Sequence, residues 1–160
     1  MKTKTIAVTG VIAALYVAVS LLVAPFAFGA VQFRIAEMFN HLIVFNKKYF
    51  LGIVLGVFIT NLFSPMMAYD LTFGVAHSII TLSLSILATK YVKGNIARLA
   101  INTILFTFTM FIIAFELMLW FDIPFLYTWL TVAIGEFGVL AVGTPLMLAL
   151  NKRLNFKTLI

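Results

Sequence analysis

The residues of this chain best suited to chemistry are its acidic side chains, which all lie within or beside strongly apolar segments. They are Glu37, Asp70, Glu116, Asp122 and Glu136. A carboxylate in hydrocarbon costs about 2.5 kcal/mol or more, so each should face other helices or a water-filled cavity. Glu116 and Glu136 have no Lys or Arg within reach on their own helices, which favours a functional role over an ion pair.

Helical spacing predicts that these acids converge on one pocket. A seven-residue spacing defines two polar seams, Asn102–Thr109–Glu116 and Trp129–Glu136–Gly143. A third stripe contains Arg34, Glu37 and His41, and His77 shares a helix face with Asp70 and Thr81. We therefore predict a substrate pocket that opens outward and is lined by Glu37, His77, Glu116, Trp129 and Glu136.

Several of these residues have simpler interpretations. Glu37 could pair with Arg34 at i, i+3, and His77 could be an interior hydrogen-bonding residue. Asp70 and Asp122 are most simply residues at loop edges that cap or bound helices. Trp129 shares the Glu136 face and is expected to stack on a flat ligand.

The sequence argues against an enzyme. Cysteine is absent, and no GxxxxGK[ST] or GxSxG segment occurs in the chain, so neither nucleotide hydrolysis nor a serine nucleophile is indicated. Glu37 and His41 have the i, i+4 spacing of a metal pair, but one such pair is weak evidence and we predict no metal site. Energy for any transport must come from a gradient or from another subunit.

The composition places the chain in a membrane. Its 160 residues are 64% hydrophobic and 10% charged, and the mean hydropathy is +1.16. At about 20 residues per span, roughly six spans fill the chain. We predict a single all-α membrane domain over residues 1–160.

The six spans are predicted from their apolar lengths and their breakers. Pro25 ends the first and begins a loop that runs to Gln32, whereas Pro124 occupies the first position of the last. Gly52 and Gly56 have the GxxxG spacing that allows close approach to a neighbouring helix. The predicted spans are Thr5–Ala24, Phe33–Phe45, Tyr49–Phe63, Asp70–Tyr91, Ala97–Trp120 and Pro124–Leu150.

Basic residues predict the orientation. Ten of them lie at the N-terminus, the C-terminus or the second-to-third and fourth-to-fifth connections, and only Arg34 lies on the other side. The positive-inside rule then places both termini in the cytoplasm. Topology explains the net charge of +6, so nucleic-acid binding is not indicated.

Parts of the sequence resemble a transporter family. The first span has Ala14 and Ala18 in an Ala-xxx-Ala pattern and resembles the first span of the substrate-binding S components of energy-coupling factor (ECF) vitamin transporters. The predicted arrangement of six short spans with both termini inside also resembles that family. The strings VQFRIAEM (residues 31–38) and YDLTFG (residues 69–74) are similar to the branch that takes up queuosine precursors. The resemblance covers essentially the whole chain.

The resemblance implies a function and partners. It implies a binding subunit in the bacterial cytoplasmic membrane that captures a 7-deazapurine such as the aminomethyl precursor, preQ1. A transmembrane coupling subunit and two cytoplasmic ATPases would be its partners, with ATP used by those partners and no cofactor bound by this chain. Small residues on the first span, Gly10, Ala14 and Ala18, would form the docking face, where another helix can approach closely.

The pocket chemistry is compatible with such a ligand but leaves alternatives open. A carboxylate can accept the adjacent N–H donors of a deazaguanine, and a second can bind its ammonium group. An acid-rich pocket should reject anionic vitamins but does not exclude a cationic one such as thiamine. A stand-alone proton-coupled carrier, with Glu116 or Glu136 as its proton site, is the alternative from another class.

Overall fold

The computed structural model describes residues 3–27 and 33–160, and all regular secondary structure within those ranges is helical. The six main helices, labelled α1 to α6 in chain order, are Thr3–Leu22, Ile35–Phe45, Phe50–Asn61, Met67–Ala88, Asn95–Phe121 and Phe125–Leu154. Short helical turns at Ala24–Ala27, Lys47–Tyr49 and Phe156–Leu159 complete the described part. The predicted all-α class is confirmed.

Four of these helices are long and apolar enough to cross a membrane, namely α1, α4, α5 and α6. Helix α2 is apolar but shorter, and α3 has 12 residues, which at about 1.5 Å per residue is less than a bilayer core. The number of spans and the side on which the termini lie therefore stay predictions.

Helix boundaries differ from the predicted ones where proline is involved. Helix α1 ends at Leu22, and Pro25 lies inside the short turn that follows. Pro124 immediately precedes α6 instead of occupying its first position, because its ψ of 126° is not helical. The loop predicted up to Gln32 lies partly outside the described residues.

The two glycines of α3 bring α1 and α3 into close contact, as the GxxxG spacing predicts. A Cβ on Gly52 would lie 3.1 Å from the Thr9 carbonyl oxygen, and one on Gly56 only 2.6 Å from the Tyr16 Cβ. The side of α1 that carries Ile12 and Tyr16 is buried here. This packing fixes the depth at which the Tyr16 hydroxyl enters the bundle.

Irregular turns interrupt the two helices that pass the centre of the bundle. Helix α4 contains a π-helical stretch at Asp70–Gly74, and α5 is broken at Met110 between two regular segments. π-Helical insertions are frequent at functional sites because they re-aim side chains. Here the π-helical stretch buries Asp70 and precedes His77 by one helical turn.

Candidate functional site

A small internal cavity lies among α2, α4, α5 and α6. Its lining residues are Arg34, Glu37, Gly74, His77, Met110, Ile113 and Glu136. Three of the predicted pocket residues, Glu37, His77 and Glu136, are therefore brought together. Polar side chains line one part of the cavity, and the apolar side chains of Met110 and Ile113 line the other part.

Arg34 is held in the cavity wall by a buried ion pair. Its Nη2 lies 2.5 Å from Asp70 Oδ1, and its Nη1 donates to Asn61 Oδ1 at 3.4 Å. Ser64 Oγ also donates to the Asp70 carboxylate, and Asn61 Nδ2 donates to the Asp70 carbonyl at 2.8 Å. Asp70 is fully buried, so the interpretation of this residue as a loop-edge cap is wrong.

Glu37 is oriented by two neutral donors. Tyr16 Oη donates to its Oε1 at 2.6 Å, and Asn40 Nδ2 donates to its Oε2. The simple i, i+3 ion pair with Arg34 is not what holds this carboxylate, because the salt bridge recorded for Arg34 is with Asp70. Each Glu37 oxygen has further lone pairs for a ligand.

Glu136 and Glu116 are buried carboxyl groups with oxygens that lack donors. Glu136 is 2% exposed and Glu116 is 0% exposed. Within the described part of the chain, Glu136 Oε1 and both Glu116 oxygens accept no hydrogen bond. A buried acceptor without a donor is unfavourable by about 1–3 kcal/mol, more if charged. Because Glu136 lines the cavity and Glu116 does not, the Glu136 oxygen is the one that a ligand or water in the cavity would bind.

His77 is buried, lines the cavity and is held by contacts with other helices. Its Nε2 is 3.0 Å from Thr109 Oγ1, and its ring meets Phe106 edge-on at 5.6 Å between centroids. The Thr109 hydroxyl also contacts Thr81 at 2.8 Å. The ring is therefore fixed in orientation while it lines the cavity.

Two residues of the predicted polar stripes lie elsewhere. Trp129 donates from Nε1 to the Phe108 carbonyl at 3.1 Å and packs against Phe108, Phe111 and Phe125. It is not among the residues that line the cavity. His41 contacts the Leu140 carbonyl and Asn102. Of the predicted stripe, Arg34 and Glu37 therefore line the cavity, whereas His41 does not.

The charges around the cavity are unbalanced. Four carboxyl groups, Glu37, Asp70, Glu116 and Glu136, lie near one guanidinium, Arg34, in a region removed from water. If all were ionised, the centre would carry three excess negative charges. An anionic ligand would meet these acids unfavourably, whereas a ligand with N–H donors could bind them. No group of three or more His, Asp or Glu suited to a metal is found among the described residues.

The cavity is nearly closed. It leaves room for about one water molecule, so a ligand with two fused rings can enter only if lining side chains move. Met110 is the most adaptable of them, since an unbranched thioether chain repacks easily, and it sits at the break in α5.

The predicted docking residues lie on the opposite side of α1 from its α3 contact. Gly10, Ala14 and Ala18 are all exposed, and a Cβ on Gly10 would meet no other atom within 4 Å. The stripe is thus an exposed row of small residues on the outside of the described bundle.

Sequence reasoning missed Arg34, Asp70 and Tyr16 as parts of the site. The sequence places Arg34 as the single base on its side of the membrane and as a possible i, i+3 partner of Glu37, not of Asp70. A cation among carboxylates in an apolar chain is expected to pair with one of them, but the sequence does not show that Asp70, on a different helix, is the partner. Tyr16 could not be placed, because its depth depends on the packing of α1 against α3.

Comparisons with known proteins identify relatives of the chain. A family model described as QueT transporter matches residues 6–152. A curated protein named Queuosine precursor transporter QueT, from Lactococcus lactis subsp. cremoris (strain MG1363), is 34% identical over 163 residues, which cover 96% of each chain. No solved structure matches.

Proposed function

From the premise that this chain belongs to the QueT transporter family, and so to a family of transporters and not of enzymes, we propose that it binds a queuosine precursor within the membrane as the first step of import. The ligand we propose is a cationic 7-deazapurine such as preQ1. The relative from Lactococcus lactis carries the name of a queuosine precursor transporter, and the cavity chemistry supports a ligand of this class.

The observation that carries the proposal is the unpartnered Glu136 oxygen beside Glu37 in the cavity. A deazaguanine presents adjacent N–H donors on its pyrimidine ring, and one carboxylate can accept both. An aminomethyl group supplies an ammonium ion that a second carboxylate can bind. Arg34 is already paired with Asp70, which leaves Glu37 and Glu136 as the acids of the cavity wall that are available to the ligand. Glu116 is not among the residues that line the cavity.

His77 and the two apolar side chains would determine fit. The His77 ring, fixed by Thr109, offers a flat edge and a hydrogen-bonding nitrogen. Met110 and Ile113 offer apolar contact for the ring faces. Trp129 packs among phenylalanines outside the cavity lining, so we do not assign it a ligand contact.

We further propose that the chain works as an S component, with a transmembrane coupling subunit and two cytoplasmic ATPases. It has no nucleotide-binding loop of its own, so ATP would be used by those subunits. The exposed stripe Gly10, Ala14 and Ala18 supports docking of a partner helix, because small side chains at i and i+4 permit close backbone approach. Both termini would then lie in the cytoplasm, as the basic residues predict.

A stand-alone proton-coupled carrier is the second candidate function. The observation in its favour is Glu116, whose two buried oxygens lack donors in the described structure. A carboxyl group in this environment could take up and release a proton during transport. Transport by the purified chain alone in liposomes, driven by a pH step, would favour this candidate.

The ligand is tested by calorimetry on the purified chain with preQ1, guanine and thiamine in parallel. We expect preQ1 to bind most tightly, guanine to bind more weakly because it lacks the ammonium group, and thiamine to bind least. Tighter binding of thiamine than of preQ1 would show that the site serves a different cationic vitamin.

A further inference from the structure

A second concave site lies where α2 ends and α5 begins, away from the central cavity. Four basic residues from four different segments line it, Lys47, Lys90, Arg98 and Lys157, together with Asn46 and Thr89. Its floor is apolar and consists of Ile43, Val44, Phe45 and Ile86. Its volume is about 430 Å³, and it shares no residue with the central cavity. We call it the basic pocket.

The charges of the basic pocket have no acidic counterpart. None of the chain's five acidic residues lines it, and the salt bridge recorded among the described residues is the Arg34–Asp70 pair. Lys47, Lys90 and Lys157 are exposed, so their ammonium groups can turn toward the same point. Four like charges brought together without a counter-ion repel one another, and an anion between them removes that repulsion.

Arg98 is positioned rigidly at one wall of the basic pocket. Its Nε donates to the Val92 carbonyl at 2.8 Å and its Nη2 to the Thr89 carbonyl at 2.9 Å. These bonds use two of the five N–H groups of a guanidinium, and the remaining ones can reach an oxyanion. On the opposite wall, Asn46 Nδ2 donates to the Lys157 carbonyl at 2.9 Å, which holds that segment beside the end of α2.

We propose that the basic pocket binds the phosphate group of an anionic phospholipid. It lies at the ends of two membrane-spanning candidates, after Ala88 of α4 and around the start of α5 at Asn95, which is the depth of lipid headgroups. Basic pockets between transmembrane helices bind such headgroups. The apolar floor favours a phospholipid over a free anion, because it can contact the glycerol and the upper part of an acyl chain.

The test uses the purified full chain and native mass spectrometry with phosphatidylglycerol, phosphatidylcholine of the same acyl chains, and inorganic phosphate as a competitor. The variant is Lys47→Gln/Lys90→Gln. Its matched control is Lys152→Gln/Arg153→Gln, which removes the same charge from exposed residues outside the basic pocket. At roughly fivefold per basic residue, the pocket variant should bind phosphatidylglycerol about 25-fold more weakly, and the control should bind nearly as tightly as the unmodified chain.

Three results would overturn the proposal. Equal losses in the pocket variant and the control would show diffuse surface attraction and no built site. Equal binding of phosphatidylcholine would show that the phospholipid's net charge is not recognised. Displacement of phosphatidylglycerol by millimolar inorganic phosphate would identify a free-phosphate site instead. All glutamine substitutions are at exposed positions, and an unchanged preQ1 titration would verify that each variant is folded.

Discussion

Replacement of Glu136 by glutamine is the sharpest test of the central cavity. Glu136 lines the cavity, is 2% exposed, and has an oxygen without a donor. In the proposed complex that oxygen receives its hydrogen from the ligand. Glutamine keeps the shape of the side chain but replaces one acceptor with an N–H₂ donor, which would face a ligand donor.

The magnitude follows from the loss of a charge-assisted hydrogen bond. Such a bond contributes about 1.5–3 kcal/mol, which corresponds to roughly a tenfold to hundredfold weaker Kd at 25 °C. The folded protein should not lose stability, because Glu136→Gln removes a buried ionisable group that has an unsatisfied oxygen. The variant should therefore unfold at the same or a higher temperature while it binds preQ1 more weakly.

Calorimetry at one salt concentration, with thermal unfolding in the same detergent, separates these two effects. Asp122→Asn is the control, since Asp122 is exposed at the end of α5 with a left-handed backbone and asparagine tolerates that conformation. It should change the Kd little. If Glu136→Gln and Glu116→Gln both bind as tightly as the unmodified chain, these acids are structural, and the ligand site would have to be sought around Glu37 and His77.

Three further predictions address coupling, energy and packing. Ala14→Trp should abolish uptake in cells but leave the Kd for preQ1 unchanged, because a large side chain on the exposed stripe holds a partner helix away; transport at the normal rate would refute the docking assignment. Uptake should require co-expressed coupling and ATPase subunits and should persist when the proton gradient is collapsed with ATP maintained, and uptake measured with an ionophore checks this. Gly56→Ala should lower the free energy of unfolding by about 1–3 kcal/mol, since the added Cβ would lie 2.6 Å from the Tyr16 Cβ. Gly138→Ala is the control, because a Cβ there would meet no atom within 4 Å, and it should be neutral or stabilising in the same unfolding assay. Equal effects of the two substitutions would contradict the packing argument.

The sequence predicts the broad architecture because apolar length and charge are local properties. The all-helical class and the close approach at Gly52 and Gly56 both follow from local pattern. The buried seam of α5 was also predicted correctly, since Asn102, Thr109 and Glu116 are all buried. These features depend on helical periodicity alone, which a single chain displays directly.

The site was predicted less completely because it depends on irregular backbone and on contacts between distant segments. Asp70 and His77 are buried on one face of α4 as the spacing predicts, but their partners, Arg34 and Thr109, come from other helices, and spacing within one helix cannot identify them. Trp129 shares the seven-residue spacing of Glu136, yet it packs on Phe108 instead. Trp129 lies seven residues, about two helical turns, before Glu136, so a shared face does not guarantee a shared environment.

The Arg34–Asp70 pair explains how an acid-rich centre can be both stable and selective. A lone arginine or a lone carboxylate would be costly in this interior, but the pair and its bonds to Asn61 and Ser64 satisfy each other. The positive charge of Arg34 thereby makes burial of the nearby carboxyl groups less unfavourable, while its ion pair is with Asp70 and leaves Glu136 accessible. In the proposed complex, a cationic ligand would bind Glu136 without competing against a guanidinium, whereas an anionic ligand would have to displace Asp70 to reach Arg34. In the proposed complex, selectivity for a cationic ligand would therefore rest on an arginine that is already paired with Asp70.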